Sequence, residues 1–284
     1  MRYVIAVGGN ALTDPGTLKN LSRAVVGLRR RGSEIVITHG NGPQVGELAS
    51  IESKSLAVLT AQTQAEIGLE LENAMAGTAL KVATVLTRVF VDPADREFKG
   101  PSKPIGPFLG KDAASRLSRK GFAVRKLFHG YRRVVPSPEP RRIMEAGLIR
   151  QLLKDGYVVI AAGGGGIAVV PRKGRLSYAD AVIDKDRASS LLAAAIGADR
   201  LFILTNVDGA FKGYGGRKPE LIRRATVREM RRLISSGEFE KGSMLPKVEA
   251  CIKFITKTGR PAAIGNLRNA AEVLVLRKAT VIVP

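Results

Sequence analysis

Short apolar runs alternate along this chain with segments whose apolar residues recur every three or four positions, the signatures of buried strands and amphipathic helices. Tyr3-Val4-Ile5-Ala6-Val7 reads as a first strand ending at Gly8-Gly9-Asn10. Leu18, Leu21, Val25 and Leu28 then predict a helix over about residues 17–31. Ile35-Val36-Ile37-Thr38 is a second strand running into His39-Gly40-Asn41-Gly42, and Val82 to Leu86 a further one. Tyr157 to Ala162 leads into Gly163-Gly164-Gly165-Gly166, Leu201 to Leu204 into Thr205-Asn206, and Pro261 to Ile264 forms a last inner strand. Helices are expected from Ala188 to Ala195 and from Pro246 to Ile255, the second with proline in its first turn. Strands that are apolar throughout, separated by helices, predict a three-layer αβα architecture: an open, mainly parallel sheet covered on both faces.

Residues 93–141 interrupt this rhythm with seven prolines, many Lys and Arg, and a helical pattern of their own around Ala113 to Leu117. The segment reads as an inserted lid subdomain within a single domain of 284 residues.

The charge changes this picture less than its size suggests. Forty-six Lys and Arg against 25 Asp and Glu give a formal net charge of +21. Such a balance suits nucleic acid, but equally an enzyme whose substrates are anions. No helix-turn-helix, zinc or RNA-recognition signature is visible, Trp is absent and aromatics make up 5% of the chain. The enzyme reading is therefore preferred and nucleic acid is kept as the alternative. One cysteine, Cys251, excludes an internal disulfide, and no 18-residue apolar run occurs. An intracellular, cytoplasmic protein without a membrane span is expected.

The candidate chemistry lies at the strand ends. In open α/β sheets ligands sit beyond the carboxyl ends of the strands, where glycine lets backbone approach an anion and helix N-termini point at it. Each of the turns at Gly8-Gly9-Asn10, Gly40-Asn41-Gly42 and Gly163 to Gly166 could be only a tight turn. Three together suggest room for two phosphorylated groups. Lys185, between Asp184 and Asp186, and Lys247, in Gly242-Ser243-Met244-Leu245-Pro246-Lys247, both fall at helix starts. Lys185 between two Asp could be an ordinary surface pair, although the Asp residues suit the helix dipole and the lysine can face a phosphate; Lys247 is the misfit, since a cation is unfavourable at a helix start unless an anion compensates. The phosphate-binding pattern G-x-x-x-x-G-K-[ST] and the protein-kinase signatures are missing. Phosphoryl transfer needs mainly alignment and charge neutralisation, which lysines and backbone amides supply. His39 is expected to be a structural strand-end ring rather than a catalytic one.

In order, Gly8 to Leu12, Thr38-His39-Gly40-Asn41-Gly42-Pro43-Gln44-Val45-Gly46, Lys103-Pro104-Ile105-Gly106-Pro107-Phe108, Tyr131 to Pro138, Gly163 to Gly166, Val182 to Asp186, Leu204 to Gly209 and Gly242 to Lys247 resemble the carbamate kinases of the amino-acid kinase superfamily. The resemblance implies reversible phosphoryl transfer between ATP and carbamate, with Mg2+ on the nucleotide phosphates and none held by the protein alone, usually in a homodimer. It further implies that Gly8, Gly9, Asn10, Gly40, Asn41 and Gly42 cradle the transferred group and the carbamate, and that Gly163, Gly164 and Gly165 form carbamate-side backbone. Lys103 would reach in from the lid, Lys185 and Lys247 would neutralise phosphate charge, and Asp186 would orient them. Thr205, Asn206, Val207, Asp208 and Met244 would border the nucleotide, the N-terminal part being the carbamate side and residues from about 150 to 284 the nucleotide-binding part. Asn206 stands where Asp is common, and Arg125 to Gly130 departs from the usual lid sequence. Another amino-acid kinase, or a catalytically idle basic paralogue, are the alternative readings.

Overall fold

The computed structural model describes residues 1–8, 14–52, 54–127, 129–216, 218–240 and 242–284. An eight-stranded sheet runs through the molecule in the order Arg224–Thr226, Ala279–Val283, Ala262–Asn266, Arg200–Thr205, Arg2–Val7, Glu34–His39, Tyr157–Ile160 and Lys81–Thr84. Neighbours pair in parallel except Ala262–Asn266 with Ala279–Val283. The mainly parallel three-layer sheet expected from the apolar runs is thus the observed one.

The pleat explains why those runs are apolar throughout. Val4, Ala6, Val36, Val159, Leu201 and Ile203 face one core, shared with Ile149, Leu192, Cys251 and Phe254 from helices Ala146–Lys154, Lys185–Ile196 and Met244–Thr258. Tyr3, Ile5, Val7, Ile35, Ile37, Phe202 and Leu204 face the other, shared with Leu21, Val25 and Leu28 of helix Pro15–Arg30 and Ile67 and Leu71 of helix Leu56–Ala74. Each Val, Leu, Ile or Phe side chain so buried contributes roughly 1.5–3 kcal/mol.

The expected strand at 82–86 is Lys81–Thr84. Val85 still donates to the Ile160 carbonyl, at 2.8 Å, but Arg88–Val91 then joins a second, four-stranded sheet. Within 93–141, residues 103–135 build a separate three-stranded antiparallel sheet in the order Lys103–Leu109, Gly130–Val135 and Val124–Leu127, with helix Lys111–Arg119 between its first two strands in sequence. Pro140–Ile143 instead pairs with Arg88–Val91. The small sheet is seated on helix Gly42–Ile51 by a close backbone approach. A Cβ on Gly46 would overlap the Gly106 backbone, so glycine is required there.

Candidate active site

Register aligns the strand ends that form the site. Val7 pairs with His39 on one side and Leu204 on the other, and Leu204 with Gly265. The turns that follow therefore open on a single cavity of about 660 Å³. Of the residues singled out from sequence, Gly8, Gly40, Asn41, Gly42, Lys103, Gly164, Lys185, Asp186, Thr205, Asn206 and Lys247 line it. Gly9 and Asn10 lie outside the described residues.

At its centre one carboxylate meets two ammonium groups. Asp186 Oδ1 lies 2.9 Å from Lys185 Nζ and Oδ2 lies 3.1 Å from Lys247 Nζ. Lys185 begins helix Lys185–Ile196 and Lys247 sits in the first turn of Met244–Thr258. Burial by itself would raise the Asp186 pKa, but Lys185 and Lys247 overcome it and hold the carboxyl down at about 2. Burial lowers the pKa of Lys185; Asp186 opposes this and Lys247 reinforces it. The Lys185 ammonium is buried and, among the described residues, meets no acceptor other than Asp186 Oδ1 at 2.9 Å, so N–H groups are left over. Such a group is poised to donate to an anion entering the cavity.

Local hydrogen bonds fix this cluster. Asp184 caps helix Lys185–Ile196 by accepting from the Asp186 and Arg187 amides on Oδ1, at 3.0 and 3.2 Å. The Ser189 hydroxyl donates to the Lys185 carbonyl (2.7 Å), leaving Thr38 Oγ1 to donate to Ser189 Oγ at 2.6 Å. That bond ties the helix to strand Glu34–His39. Lys103 arrives from the small sheet, donates to the Ile183 carbonyl at 3.0 Å and lies 3.5 Å from Asp184 Oδ2.

The helix starts differ in a telling way. Ser243 and Asn41, which precede Met244–Thr258 and Gly42–Ile51, give their helices no side-chain cap. The Asn41 amide instead donates to Thr63 Oγ1, at 2.9 Å. The start of Gly42–Ile51 therefore borders the cavity without a side-chain cap, an arrangement that suits an anion, whereas in Met244–Thr258 the Leu245 amide already donates to the Glu240 carbonyl, at 3.1 Å, and Pro246 has no N–H. By contrast, the Gly8 and Gly40 amides already donate to Leu204 and Val7 carbonyls, at 3.2 and 3.0 Å. These two glycines leave space at the strand ends, but their amides do not supply the cradle expected from sequence.

Gly164, at φ +62°, is held where a Cβ would overlap the Asn41 side chain. Gly163 packs on the His39 ring and Gly165 on the Ile183 carbonyl, behind the cavity wall rather than on it. His39 is buried, with Nδ1 3.2 Å from the Gly40 carbonyl oxygen. Burial pushes its pKa down to about 4, with the Lys185 charge adding to the shift, so it is neutral near pH 7. It has the structural place expected of it.

Val207 and Met244 line a smaller adjoining pocket of about 100 Å³ with Phe211 and Tyr214, and Thr205, Asn206 and Lys247 border both spaces. Asp208 lines neither; its Oδ1 accepts from Asn266 Nδ2 at 3.0 Å. Sequence reasoning missed Asp14, Thr17, Asn266 and Arg268, which form part of the cavity wall. The Asp14-Pro15 step, a helix cap followed by proline, was a usable signal for the first two; Arg268 belongs to no recognisable pattern.

These features define a phosphate-handling α/β protein, and comparison with known proteins agrees. Residues 1–266 match the Amino acid kinase family. A carbamate kinase of Trichomonas vaginalis is 41% identical over 100% of both chains. One of Pyrococcus furiosus is 40% identical, covering 100% of this chain and 99% of its own. The solved structure of carbamate kinase from Giardia lamblia bound to AMP-PNP superposes with a TM-score of 0.88 at 34% identity, over 99% of this chain and 98% of that one. The chain belongs to the amino acid kinase family and, within it, to the carbamate kinases.

Proposed function

We propose that the protein catalyses reversible transfer of a phosphoryl group between ATP and carbamate, giving ADP and carbamoyl phosphate. The observation that carries this reading is the pair of lysines at two helix starts sharing the buried Asp186 carboxylate at the floor of the cavity. The cluster has one net positive charge, and it faces two helix starts without a side-chain cap. A migrating phosphoryl group carries negative charge on its peripheral oxygens, and fixed cations and amides stabilise it without reorganising.

In the forward direction a carbamate oxygen forms a bond to the γ-phosphorus while the bond from that phosphorus to the β–γ bridging oxygen breaks. The attacking oxygen is already anionic, so no proton has to be removed. The neutral, buried His39 is consistent with a site that needs no general base. Lys103 and the Gly40 to Gly42 turn would hold the carbamate end. Lys185 and Lys247 would neutralise the phosphates, and the pocket beside Val207, Phe211, Tyr214 and Met244 would take the nucleoside. The small sheet carrying Lys103 would act as a lid over the carbamate side.

Among the described residues no group of three or more His, Cys, Asp or Glu could hold a metal ion. Both oxygens of Asp186 face lysines, and Asp184 is engaged by two amides and Lys103. This donor set fits Mg2+ carried on the nucleotide phosphates, where it supplies further charge neutralisation. No helix among the described residues is long and apolar enough to cross a membrane. A cytoplasmic homodimer completes the proposal, and light scattering tests the dimer. The decisive assay is ATP formation from ADP and carbamoyl phosphate with Mg2+. Turnover with carbamoyl phosphate and little with acetyl phosphate is expected; equal use of both, or turnover of neither, would overturn the assignment.

A further inference from the structure

The phosphoryl-transfer reading leaves the cations of the small sheet unexplained. Residues 103–135 contain nine basic side chains, Lys103, Lys111, Arg116, Arg119, Lys120, Arg125, Lys126, Arg132 and Arg133, and a single acid, Asp112. Lys103 belongs to the cavity. Among the described residues none of the other eight forms an ion pair, and six of them, all but Arg132 and Arg133, are exposed. Arg125 and Arg132 stand directly opposite each other across two strands. Like charges so placed repel, and among the described residues no ion pair offsets them, Arg125 having only the Pro101 carbonyl at 3.4 Å.

An aromatic platform lies among these charges. Phe108 is 48% exposed, with the Arg132 guanidinium 5.4 Å from its ring centre and the His129 ring edge-on at 5.7 Å. Phe122, 38% exposed, carries Arg133 at 4.1 Å. Within Arg132, Nε is buried with no hydrogen-bond partner among the described residues. Cations tracking a backbone, interleaved with exposed rings on which bases can stack, are the elements of sequence-tolerant single-strand binding. An acidic protein surface would match the charge as well, and the polyglutamate arm of the test separates it from a stacked base.

We propose that the protruding sheet, through Phe108, Arg125 and Arg132, binds single-stranded nucleic acid, with phosphates against the arginines and a base stacked on Phe108. The site is separate from the phosphoryl-transfer cavity and does not depend on the reaction assigned to it.

The test is fluorescence anisotropy of a labelled oligouridylate of about 20 nucleotides, titrated with the full-length protein across a range of salt. If roughly four phosphates are neutralised, log K falls against log salt with a slope of about −3. Phe108→Leu is expected to weaken binding roughly 5- to 100-fold at unchanged slope, as loss of one stacked base would. Arg125→Gln should weaken binding and flatten the slope by somewhat under about 1. Lys126→Gln, whose side chain points to the opposite face of the same strand, should do distinctly less. Thermal unfolding and carbamoyl phosphate turnover of each variant check that the fold is kept. Absence of binding at low salt would overturn the proposal. So would equal binding of a polyglutamate of matched charge with Phe108→Leu indifferent, or equal effects of Arg125→Gln and Lys126→Gln.

Discussion

Two basic regions of this protein solve the same electrostatic problem in opposite ways. In the cavity, Lys185 and Lys247 are drawn out of water and held by one shared carboxylate. On the small sheet 103–135, Arg125 and Lys126 are exposed and, among the described residues, form no ion pair. Buried cations need fixed geometry, since desolvation is tolerable only where opposite charge and ligand return the loss. Exposed cations need no such positioning, because solvent screens them and leaves only a diffuse field. Position is therefore the property of the first cluster, and number that of the second.

The largest break in this contrast comes from removing a positioned charge. Lys185→Met keeps the volume of the side chain and leaves Asp186 still paired with Lys247. Turnover is expected to fall by roughly 10²–10³-fold, the scale found for losing one fixed donor to a developing negative charge. The melting temperature should fall somewhat, because the buried Asp186 keeps only Lys247 as counter-ion, but the fold should be retained. Steady-state kinetics beside calorimetry decides this; near-normal turnover would remove Lys185 from its assigned role.

A second test uses pH, because the same cluster helps keep His39 neutral. The folded pKa of His39 is about 4, against an ordinary 6.5. The unfolded chain takes up a proton at 6.5, whereas the folded chain resists until about 4. Its contribution is thus fully present above pH 6.5 and is lost as pH falls through that window, on the order of 3 kcal/mol in all. Urea unfolding at stepped pH should show this loss, and His39→Gln should flatten it. An unchanged profile in the variant would mean that another group titrates there.

The lysines of the cluster were legible from sequence and the detail around them was not, for a physical reason. Lys247 could be singled out because a cation at a helix start contradicts local electrostatics, a misfit that can be seen in one dimension, and Lys185 because it stands between two Asp just before the helical run from Ala188. The parallel sheet was equally open to view, since strands buried on both faces must be apolar at every position, as Tyr3 to Val7 is. The amides of Gly8 and Gly40 could not be judged this way. Whether a glycine N–H is free depends on the neighbouring strand, and here Leu204 and Val7 engage both. Asp208 shows the same limit: it lies next to cavity-lining residues in sequence, but its carboxylate bonds to Asn266. Arg268 reaches the wall only because Ala262–Asn266 ends in register with Arg200–Thr205. The helix Gly42–Ile51 also went unread, although it positions Gly46 against the small sheet.

That seat joins the two regions, and disturbing it should have an intermediate effect. Alanine at position 46 would favour the helix by roughly 0.5–1 kcal/mol if space allowed. Here its Cβ meets the Gly106 backbone, which cannot rotate away as a side chain could. Gly46→Ala is expected to destabilise the protein by about 1–3 kcal/mol. It should also raise the KM for carbamoyl phosphate more than that for ADP, because Lys103 is carried on the same strand as Gly106. A stabilised variant with unchanged KM values would show that the small sheet is not positioned through this contact.

The smallest effect concerns the exposed charges that form no ion pair among the described residues. If Arg125 and Arg132 repel across the strands with no acid to offset them, removing one charge should help the fold. Arg125→Gln is expected to raise stability by roughly 0.2–1 kcal/mol at low ionic strength. The gain should shrink as salt rises, because the Debye length falls to about 8 Å near physiological strength and screens the pair without help from the mutation. A cavity cation responds with the opposite sign, since losing either lysine there uncovers part of a buried carboxylate. Chemical unfolding by urea, at low and high salt, reads the difference directly. A loss of stability in Arg125→Gln that is indifferent to salt would mean that this arginine packs as the cavity lysines do, and the division between positioned and unpositioned cations would not hold for the small sheet.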